Sequence, residues 1–120
     1  MPIFAEAFPR SRRLLKPDEY RRVFDRGQRS GDGLFLVLGI VNQTESPRLG
    51  LAVSKKNCRR AVDRNRIKRM IRESFRQHQS SLGGLDLVVV ARPGAATSDN
   101  QRCQTALQHH WRRILERCAK

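Results

Sequence analysis

The chain has 120 residues, enough for one domain that buries roughly two-thirds of its unfolded surface. Twenty-five Lys and Arg against eleven Asp and Glu leave a formal charge of +14, which points to nucleic acid or another polyanion. The longest apolar run, residues 34–41, is about eight residues against the ~20 a membrane span needs, and the opening MPIFAEAFPRSRRLL lacks the charged-then-apolar order of a signal peptide. Cys58, Cys103 and Cys118 form no CxxC spacing, so they read as free thiols in a reducing cytoplasm rather than as a zinc site or a disulfide framework.

Residues 1–13, with Phe4, Phe8 and Pro9 among arginines, read as an extended, partly flexible lead-in to a single domain spanning 1–120. Pro17 suits a first helical position, Asp18 and Glu19 suit the positive end, and Gly27 stops the helix, so the pattern predicts a helix over 17–26. Its apolar residues Tyr20, Val23 and Phe24 stand at i, i+3, i+4, and spacing alone makes Tyr20 and Phe24 core anchors. Residues 29–33 read as a polar loop. LFLVLGIV over 34–41 reads as a buried strand, and the alternation of Leu49, Leu51 and Val53 as a second strand over 48–54. The turn residues of 42–47 between them predict a hairpin.

The organising stretch follows. After Ser54-Lys55-Lys56-Asn57 the period changes to helical over about 59–78. Arg60, Arg64, Lys68, Arg72 and Arg76 form an i, i+4 row, joined by Arg59, Arg66 and Arg69 and offset only by Asp63 and Glu73. Like charges at that spacing cost an isolated helix roughly 0.2–0.5 kcal/mol per pair, so the row calls for a polyanion against it. On a wheel with Arg60 at zero, Ile67, Met70, Ile71, Ser74 and Phe75 fall between about 280° and 60°, while Asn65, Lys68, Arg69, Arg72 and Arg76 fall between about 80° and 180°. One face can bury against a sheet while its neighbour carries the charge. The apolar stripe fails from Arg59 to Arg66, which places that part of the helix beyond the core.

LDLVVVA over 85–91 reads as a strand covered on both faces or in mid-sheet. Arg92-Pro93-Gly94 breaks it, and a last helix begins near Ser98, where Ser98 and Gln101 resemble a capping box. Cys103, Ala106, Leu107, His110, Trp111, Ile114, Leu115 and Cys118 keep helical spacing, making Trp111 a docking residue rather than a base-stacking platform and leaving His109 and His110 unlike metal ligands. The order is helix, two or three strands, long helix, strand, helix; with the third strand counted this is an α+β class, an α/β sandwich of one mixed sheet of about four strands with three helices in the order α-β-β-β-α-β-α.

The eleven acids are scattered singly apart from Asp18-Glu19, so no carboxylate cluster for a metal-dependent nuclease is written here, nor a nucleophile–base set or phosphate-cradling glycine loop. The chain reads as a binder of nucleic acid without catalytic machinery of its own. No short helix and tight turn precede the basic helix, which argues against a helix-turn-helix; a strand feeding a basic helix beside a sheet leans towards RNA.

RLGLAVSKKN followed by AVDRNRIKRMIRESF closely resembles the bacterial ribonuclease P protein subunit, with its Arg64-Asn65-Arg66 hallmark, and the resemblance extends to FPRSRRLLKPDEYRRVF and DLVVVARPG. It implies a non-catalytic partner of a catalytic RNA that removes the 5′ leader from precursor tRNA, with Mg²⁺ acting through RNA and substrate, no metal held by the protein, and neither membrane nor small-molecule substrate involved. It implies RNA contact by Arg64, Asn65, Arg66, Lys68, Arg69 and Arg72, with Lys55 and Lys56 in the same basic stretch. It also assigns Tyr20 and Phe24 to a leader-binding cleft between the first helix and the sheet, reversing the core-only reading; Leu38 stands where some members carry a strand aromatic. The implied fold is ribosomal protein S5 domain 2-like, with a left-handed crossover from strand to basic helix to strand, against a generic preference for right-handed connections in about 98% of cases. Without the resemblance, a ribosomal or RNA-chaperone protein with no role in cleavage ranks first; a protein-only nuclease or deaminase would need an acidic or zinc site.

Overall fold

A computed structural model describes residues 12–14 and 16–119, so most of the expected lead-in lies outside the described residues. Helix α1 (Pro17–Arg26) occupies its expected span. Strands β1 (Gln28–Gly31), β2 (Phe35–Val41), β3 (Arg48–Ala52) and β4 (Leu85–Ala91) form one sheet. Helix α2 (Ala61–His78) joins β3 to β4, and α3 (Pro93–Thr97) and α4 (Asn100–Cys118) follow β4.

Three expectations are corrected. The polar 29–33 segment contains a short edge strand, β1, antiparallel to β2. An extra short helix, α3, occupies the Pro93-Gly94 break, and α4 is capped by Asp99, whose carboxylate accepts the Arg102 N–H at 2.8 Å, rather than by Ser98. The predicted β2–β3 hairpin does not form: the order is β1-β2-β4-β3, with β4 antiparallel to β2 and parallel to β3. The reason lies in burial. LDLVVVA is apolar at both parities and can be covered on both faces, so β4 takes the centre. Strand β3, with small Gly50 and Ala52 on one face, goes to the edge and connects back through α2.

Side-chain alternation gives the sheet two apolar faces. On one, Val23 from α1 packs with Leu38, Val88 and Leu14, flanked by half-buried Tyr20, Phe24, Leu36, Ile40 and Val90. On the other, Phe35, Val37, Leu49, Leu87 and Val89 meet α2 and α4 in the larger cluster. The five apolar-face residues of the α2 wheel, Ile67, Met70, Ile71, Ser74 and Phe75, are the buried ones. Trp111 docks α4 onto α2: its indole N–H donates to Ser74 Oγ at 2.9 Å, and its ring meets Phe75 edge-on at 6.4 Å between centroids. Burial raises the pKa of Cys103 and Cys118, keeping both thiols protonated.

His110 ties α4 to the sheet edge. Its Nδ1 pairs with Ser30 Oγ of β1 at 2.7 Å, and Asp32 Oδ2 lies 3.0 Å from Nε2 off the ring N–H direction, an electrostatic neighbour rather than an aligned hydrogen bond. Burial pushes the His110 pKa below its ordinary value and Asp32 only partly opposes this. A folded-state pKa below the unfolded one means that the unfolded chain binds more protons in that window. Stability from His110 is therefore fully present above about pH 6.5, the unfolded value, and is lost as pH falls from there through the lower folded-state pKa. Urea denaturation between pH 7.5 and 5.5 should show stability falling on acidification, and His110→Gln should blunt the fall; equal pH slopes for the two proteins would contradict this.

Candidate nucleic-acid interface

The basic surface forms because α2 buries one stripe and leaves its neighbour in water. Asn65, Arg69 and Arg72 are exposed and Lys68 is half-buried; Lys55 and Lys56 are exposed in the turn leading to the helix. The first turn carries the exposed apolar residue Val62, 61% accessible, consistent with a segment standing beyond the core. The i, i+4 row is less uniform than its spacing suggests. The Arg64 guanidinium folds back to donate to the Cys58 and Arg59 carbonyls at 3.0 and 2.7 Å, ordering the approach to the helix. Arg66 reaches the other way, donating to Asn100 Oδ1 at 2.7 Å and lying near Asp63, so it joins α2 to α4. Arg60 lies 4.0 Å from Asp63. Arg76 is ion-paired with Glu73, whose carboxylate is held below its ordinary pKa mainly by the Arg76 hydrogen bond. The outward cationic face thus centres on Lys68, Arg69 and Arg72.

Burial first, and then the nearby charge of Arg13, depress the Arg72 pKa, while Tyr20 acts in the opposite sense. Arg13 bridges to β3 at Leu49, and the adjoining Leu14 N–H donates to the Leu49 carbonyl at 3.0 Å. At the β3 edge, therefore, the cationic face of α2 meets the aromatic side of α1. Arg13 is a residue that sequence reasoning missed, because its position depends on a bridge to a strand 36 residues away.

Tyr20 and Phe24 are both half-buried on the sheet face that α1 covers, so each is a packing residue with surface left over. The Tyr20 ring lies over Gly50, where a Cβ would come within 2.7 Å of Cε2 and Cζ, and its hydroxyl accepts the Leu51 N–H at 3.3 Å. Leu38 is fully buried beneath α1 and offers nothing for stacking. Two further arginines given no binding role in the sequence lie beside β1: Arg29 donates to the Phe24 carbonyl at 3.1 Å and Arg92 to that of Asp32 at 2.6 Å.

Helix α1 is pinned by ions. Arg48 on β3 forms a bidentate pair with Asp86 on β4, Nε to Oδ1 at 2.9 Å and Nη2 to Oδ2 at 2.7 Å, and donates to Glu19 Oε2 on α1 at 2.6 Å. Glu19 also accepts the Lys16 N–H at 2.9 Å, closing the start of α1, and Asn42 donates to Asp86 Oδ1 at 3.0 Å. The Asp86 hydrogen bond, with Glu19 adding to it, raises the Arg48 pKa above its already high range. Among the described residues no three His, Cys, Asp or Glu side chains come together as a metal site, and no helix is long and apolar enough to cross a membrane.

Fold and surface define a small basic α+β protein with a cationic helix beside an aromatic-lined sheet face. The Ribonuclease P family model matches residues 8–115. The ribonuclease P protein component of Thioalkalivibrio sulfidiphilus is 46% identical over 114 residues, 95% of each chain, and that of Salmonella arizonae is 51% identical over 107 residues, 89% of this chain and 90% of its own. A structure of the Staphylococcus aureus RNase P protein superposes with a TM-score of 0.78 at 34% identity, covering 84% of this chain and 93% of that one. The Thermotoga maritima RNase P protein gives 0.72 at 28% identity, covering 81% and 92%. The chain belongs to the ribonuclease P protein family.

The packing of Tyr20 on Gly50 is testable. Gly50→Ala should cost about 1–3 kcal/mol in urea denaturation through overpacking, and most of that cost should vanish in a Tyr20→Leu background. Additive effects of the two substitutions would show that Tyr20 does not rest on Gly50.

Proposed function

We propose that this chain is the protein subunit of a ribonuclease P that removes the 5′ leader of precursor tRNA, and that it binds the catalytic RNA and the leader while the RNA performs the hydrolysis. The observation that carries the reading is the division of labour on α2, whose buried stripe fixes it to the sheet while Lys68, Arg69 and Arg72 face outward. Family membership adds the identity of the complex and disfavours a ribosomal or chaperone role.

Lys and Arg side chains neutralise phosphates and release counterions, which brings together two RNAs that otherwise repel. Lys55, Lys56, Arg60, Asn65, Lys68, Arg69 and Arg72 make these contacts. Arg64 and Arg66 shape the helix start and offer their remaining donors, and Arg76 contributes less because Glu73 already holds it. The single-stranded leader crosses the α1 side of the sheet past Tyr20 and Phe24, whose rings give sequence-tolerant contact. Mg²⁺ acts through the catalytic RNA and substrate, and the protein lowers the concentration required because its own cations carry part of the neutralisation. The working compartment is the cytoplasm, in keeping with three free cysteines.

The test is cleavage of a leader-bearing precursor tRNA at low Mg²⁺ by the protein alone, by its cognate RNA alone, and by both. Activity should appear only with both, or rise strongly over RNA alone. Tight RNA binding without stimulation would point to a packing protein instead, and cleavage by the repurified protein alone would place the chemistry in the chain.

A further inference from the structure

The cations of α4 have no part in the surface described above. Arg102, His109, Arg112, Arg113 and Arg117 are all exposed, and Glu116 is the one acid within the helix. None of these four arginines pairs with a carboxylate within 4.0 Å among the described residues, whereas Arg60, Arg66 and Arg76 of the α2 stretch each have one. Helix polarity does not explain them. The dipole favours cations only within about the last turn, which accounts for Arg117; Arg112 and Arg113 lie further in, and Arg102 stands in the first turn, where the dipole opposes it.

The helix that carries this face packs on the side of α2 away from its cationic residues. On the α2 wheel the contacts with α4 come from Arg66 and Ser74, at about 240° and 320°, opposite the cationic residues centred near 120°. Glu73, at about 220°, lies between the two.

The chemistry of the face selects among polyanions. Between its arginines stand Gln101, Thr105, Gln108 and His109, groups that hydrogen-bond to phosphate and ribose. The two exposed large hydrophobics of the described chain, Val41 and Val62, lie elsewhere. The face therefore lacks the apolar residues that an interfacial helix buries in lipid and the aromatic anchors of a protein interface. Beside Arg112 opens a shallow cavity of about 210 Å³ lined by His78, Ser81, Leu82, Gln108, Trp111 and Leu115.

We infer that the exposed face of α4, built on Arg112, Arg113 and Arg117, is a second RNA-docking surface that holds the phosphate backbone of a stretch of structured RNA separate from the one against α2. The inference rests on the RNA-binding reading above. Two surfaces on separate helices let one small protein bridge two segments of a folded RNA.

The test uses the full chain with its cognate RNA. The triple variant Arg112→Gln, Arg113→Gln, Arg117→Gln removes charge while keeping good helix formers, and thermal melting checks its fold. The slope of log K against log salt should flatten by about 0.7–0.9 for each phosphate that is no longer neutralised, so by roughly 2–3. Hydroxyl-radical footprinting should lose protection in an RNA segment that Lys68→Gln, Arg69→Gln leaves protected. The corresponding triple Lys variant should keep both slope and footprint. A Gln variant with native slope and footprint, while the α2 variant loses its own, overturns this inference and leaves the RNA-binding reading standing. Native behaviour in both variants overturns both.

Discussion

The geometry of the α1 side of the sheet depends on one buried ion pair. Asp86 sits in the central strand with its side chain 2% exposed, and Arg48 on the neighbouring strand meets it through two hydrogen bonds. A carboxylate at that depth is costly unless its lone pairs are occupied, and Arg48 and Asn42 occupy them, with Arg22 of α1 lying 3.7 Å away. The remaining Arg48 donor reaches Glu19, so the pair is also the clamp on α1. Removing one partner of such a pair typically costs about 3–5 kcal/mol, because the other charge is left buried alone, whereas an apolar pair of matched shape can be as stable. What the ions add here is geometry. They fix α1 across β3 and β4, and with it the place of the Tyr20 ring over Gly50.

From that clamp the two working surfaces follow. One sheet face is only partly covered by α1, leaving Tyr20 and Phe24 half-buried; the other is covered by α2 and α4, which leaves their outer faces to carry charge. The surfaces meet at the β3 edge, where Arg13 lies close enough to Arg72 to add to the lowering of its pKa by burial. Concentrated positive charge works against the compact state in the free protein. The fold meets this locally, with Asp63 beside Arg60 and Arg66 and Glu73 on Arg76, and keeps Lys68, Arg69 and Arg72 facing outward.

The α2 wheel was readable in full, because its buried stripe is fixed by a helical period that tertiary packing did not override; α1 and β4 were readable for the same kind of reason. The strand order was not. Adjacent strands joined by turn residues favour a hairpin, and only the double-sided burial of β4, a competition among strands, decides otherwise. The Arg48–Asp86–Glu19 clamp was invisible because its members stand 38 and 29 residues apart. In the candidate site, residue type and spacing showed a basic helix with one buried stripe, yet they could not show that Arg64 and Arg66 spend part of their donors on the protein's own carbonyl and amide groups. Spacing and the family resemblance disagreed over Tyr20 and Phe24, and the half-burial of both rings accommodates the two readings together.

The measurement closest to the central claim compares affinity for leader-bearing precursor tRNA with affinity for mature tRNA. It uses complexes reconstituted with the native protein or with Glu19→Gln, which weakens the clamp on α1 and leaves the Arg48–Asp86 pair intact. If the clamp positions the leader surface, the native complex prefers the leader-bearing substrate, and the variant loses much of that preference while holding mature tRNA as before. A variant that folds, binds the catalytic RNA and keeps the full preference would show that leader recognition does not depend on how α1 is held.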